Sequence, residues 1–239
     1  VVLAAGRGAR MTGFTEDRPK CLIELGGRTL LDRQVAALRS GGIDEVGVVA
    51  GWHAEAFAGT GLPVFVNHRW ATTTMAESLA AADEWLRDGP VLAAYGDIVY
   101  TAETVRELLD CEAELAIAYD PDWYALWRRR FADPLDDAET FVRAETGDLA
   151  AIGGRPDTVA EVQGQYVGLL RLTPESWRSI RRARRDPEVR RLDMTGLLAR
   201  LVRTTRVATV PVRGRWCEFD HPTDLAVGRD VLRALDGDR

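Results

Sequence analysis

Short apolar runs alternate with amphipathic stretches along the first half of the chain. VVLAA (1–5) comes first, and LLDRQVAALRSGG (30–42) is followed by EVGVVA (45–50). PVFVN (63–67) precedes MAESLAAADEWLRDG (75–89), and PVLAAYGD (90–97) precedes TAETVRELLD (101–110). Strand then helix, repeated, predicts a parallel sheet covered on both faces. Glycines at 41, 42 and 89 stand where helices close, because a left-handed cap is favourable there.

From about residue 111 the pattern changes. ELAIAYD (114–120) reads as a strand, DPDWYALWRRRFADPLDDAET (120–140) as an aromatic, irregular segment, and TFVRAETGDLAAIGG as a hairpin turning near Thr146, Gly147 and Asp148. EVQGQYVGLLRL (161–172) alternates as a strand does. An arginine-rich helix, PESWRSIRRARRDPEVRR, and the strand VATVPV follow, with a last helix from about Pro222. No linker or internal repeat interrupts the chain. The expectation is one α/β domain over 1–239, with a mixed, mostly parallel central sheet flanked by helices and two halves meeting near residue 110.

Composition narrows the function. Of the 239 residues 46% are hydrophobic and 28% charged, with no apolar run near the roughly 18 residues of a spanning helix and no secretory leader, so a cytoplasmic protein with no membrane partner is expected. A net charge of −6 argues against a nucleic-acid partner, which a basic face would have to meet. Cys21, Cys111 and Cys217 are widely spaced without a CxxC pair, which suggests neither a disulfide framework nor a zinc site. Lys20 is the single lysine among 31 basic residues. Under so strong a bias to arginine, a surviving lysine marks a place where a compact ammonium works and a planar guanidinium does not.

That lysine ends LAAGRGARMTGFTEDRPK (3–20), a glycine-rich turn placed straight after the first strand. Such turns face a nucleotide at the carboxyl ends of the strands. A Walker A loop is absent, and Gly6, Gly8 and Met11 give GxGxxM in place of the dinucleotide fingerprint. Nor does an acidic residue end the second strand, where Ala50 and Gly51 stand.

LAAGxGxRM followed by PK, with LIELGGRTLLDRQVAALRSGGIDEVGVV downstream, resembles the signature of the nucleotidyltransferases of the sugar-1-phosphate type, which have a Rossmann-like, glycosyltransferase-A-like fold. The resemblance implies a nucleotide-binding half (1–110) and an acceptor-binding half (111–239). Leu3, Ala4, Ala5, Gly6 and Gly8 would cradle a triphosphate, the amides doing the binding and the side chains staying small. Arg10 would hold the β and γ phosphates and stabilise departing pyrophosphate. Lys20 would reach the reacting phosphate.

Nucleotidyl transfer between anions also needs a divalent cation, and Mg2+ takes one or two carboxylates for this. Asp97, ending PVLAAYGD, is the first ligand that the resemblance implies. WCEFDHPTDL (216–225) resembles the family's closing WxExD segment and supplies Asp220 as the second, with Glu218 beside it for a metal-bound water or the acceptor. Asp224 falls in the first turn of the final helix, where a carboxylate suits the dipole.

NHRWATTTMAESL (67–79) resembles the phosphocholine and phosphonate cytidylyltransferase branch, and lacks the GTAG-like segment of many sugar-phosphate enzymes. Asn67, Thr74 and Ser78 are candidates for base, ribose or acceptor contacts. In the acceptor region Trp123, Trp127, Tyr166 and Trp216 are candidates for an aromatic cage around a quaternary ammonium. Arg128, Arg129 and Arg130 crowd the same segment, and Arg129 is taken as a contact to an anionic acceptor. The expected reaction transfers CMP from CTP to a small phosphonate or phosphomonoester and releases pyrophosphate; the alternative is a sugar-1-phosphate enzyme using UTP, dTTP or GTP. Related enzymes are commonly homodimers.

Overall fold

Val2, Leu3 and Ala4 are buried without exception, as an interior strand of a parallel sheet must be when helices cover both faces. In this computed structural model, which describes residues 1–11, 13–212 and 215–237, that strand pairs in parallel with Val48–Ala50 and with Val91–Tyr95. Val48–Ala50 pairs in turn with Val64–Val66, again in parallel. The helix Leu30–Ser40 starts where Thr29 and Asp32 cap each other reciprocally, Asp32 N–H on Thr29 Oγ1 at 2.9 Å and Thr29 N–H on Asp32 Oδ2 at 3.0 Å.

The contacts divide the chain into two compact units, one of Val1–Asp83, Ala93–Glu107 and Gly214–Arg239, the other of Glu84–Leu92 and Leu108–Arg213. Leu30, Val99, Cys217, Phe219 and Leu232 form a core cluster of the first. One predicted element is broken: the segment 75–89 is a helical turn at Met75–Ser78, a 3-10 stretch at Leu79–Ala82 and a helix at Asp83–Asp88. Ser78 Oγ donates back to Thr74 O at 3.1 Å, a side-chain bond that bends helices by competing with the backbone ladder.

In the second unit the buried strand Leu115–Asp120 runs antiparallel to Gln165–Leu172 and parallel to Ala208–Pro211. The predicted hairpin is present as Phe141–Arg143 and Leu149–Ile152, with Gly147 at φ +85° in its turn. The segment expected to be irregular is instead helical over Trp123–Arg130. Trp123, Trp127 and Arg130 recur at i, i+4 and i+7 and are its buried residues, a helical period that the flanking prolines disguise. Mixed α/β architecture, with mostly parallel pairings and flanking helices, is thus what the sequence pattern predicts and the structure contains. No helix among the described residues is long and apolar enough to cross a membrane.

Candidate active site

The glycine turn is shaped by four short-range hydrogen bonds. Met11 N–H donates to Gly8 O at 3.0 Å and Phe14 N–H to Met11 O at 3.1 Å. Thr15, buried at 4% exposure, brings its hydroxyl to Gly8 O at 2.9 Å and Met11 O at 3.1 Å. Gly8 has φ +65°, and a Cβ there would lie 3.0 Å from Lys20 Cε and 3.2 Å from Lys20 Cβ. The missing side chain at residue 8 is therefore the space through which the lysine stem passes.

Lys20 enters on a 3-10 turn, Lys20–Leu22, directly after extended Pro19. Asp97 follows the strand Val91–Tyr95, with Gly96 N–H bonded to Leu3 O at 3.0 Å. The short strand Cys217–Glu218 pairs antiparallel with Ile98–Val99, and Phe219 N–H donates to Asp97 O at 2.8 Å. That pairing carries Asp220, near the end of the chain, to Asp97.

The three side chains meet. Lys20 Nζ donates to Asp97 Oδ2 at 2.9 Å and to Asp220 Oδ1 at 2.6 Å, while Arg10 Nη1 lies 2.7 Å from Asp220 Oδ2. Lys20 and the two carboxylates are largely buried, whereas the Arg10 side chain is 64% exposed. Burial alone would depress the Lys20 ammonium, but Asp97 and Asp220 outweigh it and hold the group above the ordinary lysine range, so it stays charged. Burial, with the Asp97 charge added, pushes the Cys21 thiol up and leaves it unreactive.

These carboxylates suit magnesium. Asp97 Oδ1 is buried and has no hydrogen-bond partner, so one oxygen of the pair is unspent. Among the described residues no group of three or more His, Cys, Asp or Glu gathers as a closed cage would require. Two carboxylates beside one cleft could hold Mg2+ together with waters and phosphate oxygens.

Leu3, Ala4, Gly6, Gly8, Arg10, Lys20, Asp97 and Asp220 line one cleft of about 280 Å³, joined by Ala9, Cys21, Met75 and Gly96. Ala5 accepts from Trp52 N–H at 3.0 Å. Asn67, Thr74 and Ser78 do come together, but around one another: Asn67 Nδ2 donates to Ser78 Oγ and Thr73 Oγ1, both at 2.9 Å, and Thr74 caps the turn Met75–Ser78. This cluster shapes the approach to Met75. Glu218 is half-buried on its short strand.

In the second unit Trp123 and Trp127 are each 3% exposed and pack edge to face at 6.0 Å. Their indole N–H groups are spent inside, on Val162 O at 3.0 Å and Asp137 Oδ2 at 3.1 Å. The cation over Trp127 is Arg130, at 4.9 Å. Arg130 is the inward arginine of the triplet, and Arg129 lies on the exposed face of the helix. Tyr166 is half-buried opposite Tyr119, and Trp216 is buried in the first unit.

Two further residues matter here. Thr15 closes the loop, and its only prior signal is a hydroxyl in a turn. Asp224 accepts from Asp220 N–H at 2.9 Å and His221 N–H at 2.8 Å, more than the dipole role expected of it.

The family described as MobA-like NTP transferase domain matches residues 1–235. A CTP:phosphoglutamine cytidylyltransferase of Campylobacter jejuni is 30% identical over 95% of this chain and 97% of its own. A 2-aminoethylphosphonate cytidylyltransferase of Lancefieldella rimae is 25% identical over 70% of this chain and 65% of its own. Among solved structures, the inositol-1-phosphate CTP transferase of T. maritima shares the fold with a TM-score of 0.78 at 18% identity, covering 99% of this chain and 95% of that one.

Proposed function

Because the chain belongs to the MobA-like NTP transferase domain family and is a nucleotidyltransferase, we propose that it transfers CMP from CTP to a small phosphate-bearing acceptor, a phosphonate or phosphomonoester, and releases pyrophosphate. The observation that carries this reading is the buried Lys20 ammonium between Asp97 and Asp220 at the mouth of a glycine turn. Two relatives whose names specify CTP and a phosphate-bearing acceptor support the choice of nucleotide and acceptor class.

The backbone amides around Gly6 and Gly8 bind the triphosphate, at the carboxyl end of the first strand. Arg10, exposed and held by one carboxylate oxygen, is free to turn from Asp220 to the β and γ phosphates. Lys20 stays beside the α-phosphate, where negative charge is concentrated as the reaction proceeds. Asp97 and Asp220 would hold Mg2+, which when bound neutralises the triphosphate and aligns its oxygens. An acceptor oxygen forms the new bond to the α-phosphorus, and the bond from that phosphorus to the bridging oxygen of the β-phosphate breaks. No general base is required, since the acceptor oxygen is already ionised; positioning and charge neutralisation do the catalysis.

A pyrophosphate-release screen tests this reading, with CTP, UTP, dTTP, GTP and ATP each offered against phosphocholine, aminoethylphosphonate, phosphoglutamine and glucose-1-phosphate. Release is expected with CTP and one or more of the first three acceptors. Turnover confined to UTP, dTTP or GTP with the sugar phosphate would overturn it.

A further inference from the structure

Asp224 is 1% exposed, and its carboxylate faces backwards along the chain, not towards solvent. One oxygen, Oδ2, takes both the Asp220 and the His221 backbone N–H groups, at 2.9 and 2.8 Å. Its own N–H donates to His221 O at 2.9 Å, which closes the turn into the helix Asp224–Gly237. The main chain of Asp220 is thereby tied to the first residue of that helix.

The helix itself has little room to move. A Cβ at Gly228 would lie 2.3 Å from Phe219 Cε1 and 2.4 Å from Phe219 Cζ, so the helix backbone sits directly against the ring of the residue before Asp220. Phe219 is fully buried, and its N–H is bound to Asp97 O. Asp220 is thus held from two directions, through Phe219 to Asp97 and through Asp224 to the helix. Only its carboxylate faces Lys20 and Arg10.

We propose that Asp224 is a positioning residue for nucleotidyl transfer: it aims Asp220 at the metal and Lys20 by fixing the backbone from which that carboxylate projects. This rests on the functional reading given above. A carboxylate oxygen accepting two N–H groups is a short, strong, charge-assisted anchor. With it removed, the Asp220 backbone is held from one side and its carboxylate samples orientations that do not converge with Asp97. Residues that hold a ligand in this way set both metal affinity and rate.

The test is Mn2+ binding in the presence of CTP, followed by the metal's paramagnetic resonance signal, alongside steady-state kinetics. Asp224→Ala is expected to weaken Mn2+ binding and lower kcat by about 10–100-fold, with KM for the acceptor changed less than about twofold. Asp224→Asn keeps an amide oxygen able to accept both N–H groups and should restore binding and kcat to within about threefold of wild type. Leu232→Ala, on the same helix where it enters the core cluster, serves as a control, losing thermal stability while keeping its Mn2+ affinity. If Asp224→Ala does not fold, Asp224→Ser, which retains a short acceptor that reaches less far, carries the same comparison. Wild type that binds Mn2+ with CTP, beside an Asp224→Ala protein that binds equally well, overturns the inference alone. A folded wild type that binds no Mn2+ with CTP overturns the functional reading, and this inference with it.

Discussion

Lys20 is the residue on which the site turns. Its ammonium reaches two carboxylates at 2.9 and 2.6 Å while its stem occupies the space that a side chain at residue 8 would take. A guanidinium is wider and planar and does not pass there without displacing the loop. Lys20→Arg is therefore expected to lower kcat by about 10²–10³-fold while the circular dichroism spectrum and melting temperature stay near wild type; near-normal turnover would refute the argument. Thr15 is subtler, because Gly8 O also accepts from Met11 N–H and is not orphaned when the hydroxyl goes. Thr15→Val should cost about 1 kcal/mol of stability, measured by urea unfolding, and should raise KM for CTP more than it lowers kcat; Thr15→Ser should resemble wild type. The lysine was legible in the sequence because composition isolated it. Thr15 was not, since nothing local distinguishes a loop threonine that closes a cradle from one that faces water.

At the scale of elements, apolar runs marked the buried strands, whereas one helix and one helix break escaped the pattern. The strands at 2–4, 48–50 and 115–120 are buried throughout, and their apolar runs predict them. The helix Trp123–Arg130 was hidden because its buried face is made of two tryptophans and an arginine stacked on one of them, a pattern that reads as a binding segment before it reads as a helix. At the break after Ser78 its hydroxyl bonds back to Thr74 O, which the apolar pattern does not reveal. Glu139 shows a cost of packing elements together in the second unit: burial first, and Asp193 and Asp137 nearby, raise its carboxyl above the ordinary range despite the Thr195 hydroxyl bond. A carboxyl with a raised folded-state pKa binds its proton more tightly when folded, so stability falls as pH rises from the unfolded value near 4.5 through the folded one. Glu139→Gln should therefore raise the melting temperature at pH 8 relative to wild type, and that advantage should disappear at pH 4. An equal effect at both pH values would contradict the assignment.

Over the whole molecule, the groups proposed for catalysis come from three distant stretches of sequence: Arg10 and Lys20 near the start, Asp97 after the strand Val91–Tyr95, and Asp220 in the closing segment. All of them belong to the first compact unit, because Gly214–Arg239 returns to it. Motif resemblance marked each stretch, and the antiparallel pairing of Cys217–Glu218 with Ile98–Val99 brings the last of them to Asp97. Acceptor choice was less legible: an aromatic-rich sequence does not reveal that Trp123 and Trp127 spend their N–H groups internally. The central claim is that Asp97, with one buried oxygen unspent, and Lys20 beside it form the reacting centre. The direct measurement is Mg2+-dependent pyrophosphate release from CTP by wild type and by Asp97→Asn, assayed with the acceptors of the screen. Wild-type turnover that falls at least about 10²-fold in the folded variant is the predicted result, and equal release by the two proteins would contradict the account.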